Sequence, residues 1–209
     1  MKVYTHFNLD LDAAASLWFA RKFIPGAREA EVLFVSASWD GAGIAEGDLA
    51  LDISAGGRGI KGETHDDGRV GSCFAALVGM YADATDLEVL RHLVTFVEAQ
   101  DANPHAVQLV GNGAGKFGLE VLDAVSVNSV LRALQATHPR DDALVASRMA
   151  EIFSGMLENG RSRRRAELET GDAELVGGPS RVRPEDLAKA VCELFAPESA
   201  SLQKLQCED

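Results

Sequence analysis

Apolar residues recur along this chain with two periods, and the period changes from segment to segment. "KVYTH" (2–6) is a short β-branched and aromatic run that predicts a strand. "DAAASLWFARKF" (12–23) follows with Leu17, Trp18, Ala20 and Phe23 at helical spacing, until "IPG" stops it. "EVLFVSA" (31–37) predicts a second buried strand, and "DLALDIS" (48–54) a third, alternating apolar residues up to Asp52. "RGIKGETHDDG" (58–68) predicts a short strand running into a turn. "GSCFAALVGMYA" (71–82) and "LEVLRHLVTFVEAQD" (87–101) then read as helices.

Strands alternating with helices imply an α/β fold, a mostly parallel sheet flanked by helices. The second half changes to helix alone. "GLEVLDAVSVNSVLRALQATHP" (118–139) and "DDALVASRMAEIFSGMLENGRSRRRAELE" (141–169) are helical patterns, with Asp141 and Asp142 placed to cap the second. A Gly/Pro turn precedes a last helix starting at Pro184, and the tail "SASLQKLQCED" reads as loose. The expected organisation is an α/β domain over 1–105 and a helical region over 106–209 packed on it.

Composition narrows the class. With 209 residues and 46% apolar content, the chain is long enough to bury a real core. Its apolar runs fall far short of the ~20 residues that cross a bilayer, and no secretory pattern opens it, so a cytoplasmic protein is expected. Cys73, Cys192 and Cys207 form no CxxC pair, which argues against a disulfide framework or a thiolate zinc site; Cys73 reads as a core residue. A net charge of −12 should repel nucleic acid and anionic membranes. The exception is a basic cluster, Arg161, Arg163, Arg164 and Arg165. Such a run is commonly a solvated helix face, but it is also a candidate for binding a phosphate-bearing substrate.

The polar residues that matter fall where a parallel sheet binds ligands, beyond the carboxyl ends of its strands. His6 ends the first strand, and Asp10 and Asp12 follow across a turn, two residues apart. Asp52 ends an apolar strand, where a charge is costly unless it emerges or is paired. Glu63, His65, Asp66 and Asp67 crowd one turn, and Asp101 sits at a helix C-terminus against the macrodipole. Hard divalent cations favour carboxylate oxygen, and imidazole joins readily for Mn²⁺. A pair of ions roughly 3.5–4 Å apart needs several carboxylates, some of them bridging. Asp12 is also well placed as a plain helix N-cap, so spacing alone leaves both roles open. His92 reads as a helix residue and His138 as a loop residue; His105, four residues after Asp101, is more commonly a structural residue but is also a candidate to stand behind a metal ligand.

His6-x-x-x-Asp10-x-Asp12, the strand-terminal Asp52, a His-bearing turn before "GSCFAALV", and Asp101 together resemble the DHH phosphoesterase superfamily. The succession "THDDGRVGSCFAALV", "EAQDANPH", "VSVNSVLRALQATHP" resembles in particular the family once called metal-dependent protein hydrolases, some of whose members are understood as RNA exonucleases. The resemblance spans residues 1 to about 165. It implies metal ligation by His6, Asp10, Asp12, Asp52, His65 and Asp101, with Asp12 and Asp52 bridging two Mn²⁺ or Mg²⁺ ions. Two departures stand out. Ala13 occupies a position where the family has Gly, and the Asp-His-His triplet is reduced to the single His65, which leaves Asp66 as the candidate catalytic residue. The implied function is a metal-dependent phosphoesterase acting on a small phosphorylated or short oligonucleotide substrate, with a homo-oligomer allowed. The alternatives are a non-catalytic relative that binds a metal, nucleotide or protein partner, and a purely structural α/β domain.

Overall fold

The computed structural model describes residues 1–61, 71–102 and 126–170. Three strands, β1 (Lys2–His6), β2 (Glu31–Val35) and β3 (Leu49–Ala50), form a parallel sheet in the order β2-β1-β3. Five helices accompany them among the described residues: α1 (Leu11–Phe23), α2 (Cys73–Tyr81), α3 (Ala84–Ala102), α4 (Val127–Thr137) and α5 (Asp142–Thr170). The predicted helix from Pro184, the tail, and residues 118–125 of the predicted helix over 118–139 lie outside the described residues.

The chain divides into two compact units, Met1–Ser162 and Arg163–Asp209. The reason lies in the core of the first unit. Leu131 of α4 and Val145, Met149, Phe153 and Leu157 of α5 are buried in the same cluster as Leu17, Trp18 and Phe19 of α1 and Phe74 of α2. Trp18 stands at its centre. Its ring lies 5.4 Å from that of Phe153 and 6.3 Å from that of Phe74, and its Nε1 donates to Ser154 Oγ at 3.0 Å. An indole can be buried this way because its one polar atom keeps a partner.

The sheet's faces follow from the two-residue repeat of β1. Val3 joins the helical core, whereas Tyr4 joins a second cluster with Ala50, Ile53 and Ala55. Tyr4 stacks on Trp39 at 4.6 Å. Among the described residues this second face is covered by the segment between β2 and the turn after β3 rather than by an α-helix. The segment's sequence explains this. Gly41, Gly43, Gly47, Gly56 and Gly57 all have positive φ, a backbone suited to successive turns and not to a helix.

The third strand is shorter than its sequence suggested. Only Leu49 and Ala50 pair with β1, and Leu51 instead forms an isolated parallel bridge with Ile60. A Cβ on Gly59 would overlap Ile53 O, so glycine lets this excursion close tightly and return Ile60 to Leu51.

Candidate metal centre

Parallel pairing brings the first two parts of the site together. Tyr4 pairs with Ala50, so two residues further on His6 stands across from Asp52, at the carboxyl end of the sheet. His6 Nε2 lies 3.3 Å from Asp52 Oδ2 and 3.7 Å from Asp10 Oδ2. One nitrogen or oxygen from each of His6, Asp10 and Asp52 lies within 4.8 Å of the others, a group able to hold a single metal ion. One imidazole and two carboxylates suit Mn²⁺, and the two carboxylates suit Mg²⁺.

The backbone at Asp52 is unusual. Its φ is +54°, in the left-handed region that costs most residues about 1–2 kcal/mol and that Asp and Asn tolerate best. Its N–H donates to Ile60 O at 2.8 Å and lies 3.3 Å from Cys73 Sγ, so both the excursion and α2 hold this conformation. Cys73 is a core residue, as expected. Burial raises its thiol pKa, with the charge of Asp12 adding to the shift, so the sulfur stays protonated.

The loop carrying Asp10 is pinned from the helical region. Asp142 accepts from the Asn8 and Leu9 N–H groups at 3.1 and 3.3 Å, and Gln135 Nε2 donates to Leu9 O at 2.6 Å. The sequence suggested that both Asp141 and Asp142 cap α5. Only Asp141 does so through its side chain, accepting from Leu144 N, because Asp142 turns to this loop. Asp10 is itself the N-cap of α1, accepting from Ala13 N at 2.9 Å.

Asp12 is therefore not the N-cap. It lies in the first turn of α1, only 2% exposed, and is spent on a different helix. Its Oδ2 accepts from Cys73 N and its Oδ1 from Phe74 N, both at 2.8 Å, and Ser16 Oγ approaches Oδ1 at 3.4 Å. The carboxylate thus closes the first turn of α2, where two amides otherwise lack partners. Asp12 is not in the group of atoms that closes around His6, although its Oδ2, which accepts only from Cys73 N, keeps a second lone pair.

Electrostatics ties the carboxylates into one cluster. Burial raises the Asp12 pKa to about 7, and the charge of Asp52 adds to it against the pull of the two amides. Asp10 reaches solvent, yet the walls of its recess desolvate the carboxyl and raise its pKa, and Asp52 raises it further. Asp101, in the last turn of α3, is raised by desolvation and then by Asp52, with Lys61 opposing. His6 moves up to about 9, mainly through its hydrogen bond to Asp52, with burial opposing and Asp10 adding. Two carboxylates at the imidazole, with those of Asp12 and Asp101 in electrostatic reach of Asp52, form a cation-seeking site.

The structure thus brings His6, Asp10 and Asp52 together and keeps Asp12 and Asp101 within their electrostatic reach. His65 and Asp66, with Glu63 and Asp67, lie outside the described residues, as does His105. Arg161 is not available for substrate. Its guanidinium forms a two-pronged pair with the buried Asp86 at 2.7 Å for each bond, and it also meets Glu158 at 3.0 Å. A buried carboxylate on α3 needs a fixed cation, and this one sits opposite it on α5. Arg164 pairs with Glu167 at 2.9 Å, while Arg163 and Arg165 are exposed positions of the second unit.

A cavity of about 420 Å³ opens beside the carboxylates, bounded by the N-terminus of α1, the end of α3 and one side of α4. Asp10, Asp12 and Asp101 line it together with Gln100, Asn128 and Arg132, three residues that the sequence did not single out. Their signal was available. Asn128, Arg132 and Gln135 recur four and three residues apart, which marks a polar stripe beside Leu131 on one side of α4. No family model matches the chain, and no curated protein or solved structure matches it either. No helix among the described residues is long and apolar enough to cross a membrane.

Proposed function

We propose that the protein is a divalent-metal-dependent phosphoesterase of the cytoplasm. It acts on a small phosphorylated or short oligonucleotide substrate, with His6, Asp10 and Asp52 holding one Mn²⁺ or Mg²⁺ ion. Asp12 and Asp101 are the carboxylates available to a second. The observation that carries the reading is the convergence of His6 Nε2 with the Asp10 and Asp52 carboxylates within 4.8 Å, at the carboxyl end of a parallel sheet. The ions would supply the positive charge that lowers the pKa of a water and draws in phosphate oxygens.

The chain's own groups prepare that chemistry. His6 Nδ1 lies 3.1 Å from Phe7 O, so a proton on Nδ1 is held by the carbonyl and Nε2 is left to face Asp10 and Asp52. Gln135 and Asp142 fix the loop before Asp10, which limits the reorganisation needed on ligation. His65 and Asp66 enter this proposal only through the resemblance of the sequence, Asp66 as the group acting near the scissile phosphate.

The test is hydrolysis of bis-p-nitrophenyl phosphate, pyrophosphate and short RNA with Mn²⁺ or Mg²⁺, comparing wild type with Asp52→Asn and His6→Ala. Metal-dependent turnover lost in both variants supports the reading; absence of such turnover on every substrate refutes it. One observation favours a second reading, a non-catalytic relative that binds a single ion and a nucleotide or protein partner. Both oxygens of Asp12, the carboxylate that should bridge two ions, already accept backbone amides. Mn²⁺ binding at one equivalent with no turnover would select it.

A further inference from the structure

A second cavity, of about 520 Å³, lies against β2, the outer strand of the sheet among the described residues. Phe7 N donates to Val35 O, and successive residues of a strand turn their backbone groups alternately to its two sides. Leu33 and Val35 therefore bond to β1, while the N–H and C=O groups of Val32 and Phe34 face the open edge. The side chains of the same two residues are half-buried and line the cavity. To that space α1 contributes Leu17 and Trp18, and α5 only alanines and serines. Apolar room thus adjoins strand backbone that faces outward. Exposed edges are normally blocked by a lysine, a proline, a bulge or a cover. "EVLFV" holds unbroken register with β1, and its one charge, Glu31 at its start, meets Lys2 at 3.8 Å. Val32 to Val35 include no blocking residue, so a cover is the device that remains.

Charge selects the cover. Arg21, Lys22 and Arg28 gather where β2 begins, although the chain carries a net charge of −12. Lys22 has Glu158 at 3.4 Å, and Arg28 has its neighbour Glu29 at 3.6 Å in a highly exposed pair. Arg21 makes no ion pair among the described residues. Its Nε and Nη2 are held on Arg28 O at 3.3 and 2.8 Å, which orients the guanidinium and leaves Nη1 to an incoming oxygen. A second copy would bring the same cations rather than their complement. We infer that β2 and this groove are a docking site for an extended segment of another protein, apolar at alternate positions and acidic at the end beside Arg21 and Arg28. The segment adds to β2 through the backbone of Val32 and Phe34, its alternate side chains fill the cavity, and its carboxylates meet the guanidinium groups. The cations lie at the amino end of β2 and the metal centre at the carboxyl end of the sheet, so the inference stands apart from the proposed activity.

The test is fluorescence anisotropy of the full chain with labelled peptides of alternating valine and threonine, flanked at both ends by glutamates or by lysines. The acidic peptide should bind about tenfold more tightly or better, from its charge-assisted contacts. The double variant Arg21→Glu/Arg28→Glu should weaken it by about tenfold or more with thermal melting unchanged, since both residues are exposed. Ser147→Glu, which adds a carboxylate to the cavity from an exposed helix position, should weaken it too. Strand addition has its own signature. N-methylation of the valine amides and of the threonine amides, in separate acidic peptides, should abolish binding in one and spare it in the other, because only one set faces β2. Equal binding of the acidic and basic peptides overturns the inference, as does binding of neither. Undiminished binding to the double variant, or equal effects of the two methylations, also overturns it. Sedimentation of the chain alone tests the second copy: a dimer that the acidic peptide dissociates gives the edge to self-pairing and overturns the inference, whereas a monomer supports it.

Discussion

Replacing Asp52 by Asn is the most informative single change, because Asp52 acts on every other charge of the site. Asn keeps the shape and tolerates the left-handed φ of +54°, so the excursion after β3 should survive the substitution. What is removed is the charge. His6 titrates at about 9 because its largest perturbation is the hydrogen bond to Asp52. Against its ordinary value of 6.5 that difference corresponds to about 3 kcal/mol favouring the imidazolium. In metal-free protein, Asp52→Asn should bring the His6 titration down toward its ordinary value, followed by NMR of the ring resonances. Asp10 and Asp101 should titrate lower as well, since the Asp52 charge raises both. The sign for stability follows from the raised pKa of His6. Its contribution is complete below about 6.5 and is lost as pH rises through about 9, so the stability gap between wild type and Asp52→Asn should close across that window. A His6 titration that moves by less than about half a unit would refute the assignment of the pair.

The metal-free protein should lose stability as pH rises from about 4 to 7. The raised Asp12 pKa, 3.8 to about 7, favours folding only while the carboxyl is protonated, by up to about 4 kcal/mol; denaturant melts with and without Mn²⁺ should show the loss and its reversal by metal. Arg161→Ala should destabilise by about 2–3 kcal/mol, because it strands the buried Asp86. It should leave metal affinity unchanged, and a drop in metal affinity by titration would return Arg161 to the site. Gly59→Ala should cost more than about 2 kcal/mol in urea melts, and should weaken Mn²⁺ binding as well by displacing Asp52, because its methyl group has no room against Ile53 O.

The parts of this structure legible in the sequence are those set by local period and by strand ends. β1, β2 and the helices α1 to α5 follow from apolar spacing, and His6 and Asp52 from their places after apolar strands. The errors share a cause, which is that a polar side chain near a helix start can serve several backbones. Asp12 looked like the cap of its own helix, and it holds the amides of Cys73 and Phe74, 61 and 62 residues away. Asp142 looked like a cap of α5 and holds Asn8 and Leu9 instead. Arg161 looked free within a basic run, and its partner Asp86 is 75 residues away. None of these choices is encoded in spacing, because each depends on which helix end tertiary packing delivers to the carboxylate.

Asp12 also links the site to the fold in a way that limits how the site can be tested. Replacing it by Ala leaves the Cys73 and Phe74 amides without their acceptor at the start of a buried helix, a loss of about 1–3 kcal/mol whatever its place in metal chemistry. Loss of turnover in Asp12→Ala would therefore not distinguish a ligand from a helix cap. Asp52→Asn does, because its backbone N–H contacts to Ile60 and Cys73 do not involve the carboxylate. The same coupling runs in the other direction. A cation that lets Asp12 ionise strengthens its hold on the first turn of α2, since charged acceptors bind amides more strongly than neutral ones. Amide exchange at Cys73 and Phe74 should accordingly slow on adding Mn²⁺ at pH 6, where Asp12 is still largely protonated without metal, and should respond far less at pH 8. An equal response at both values would show that Asp12 does not sense the ion.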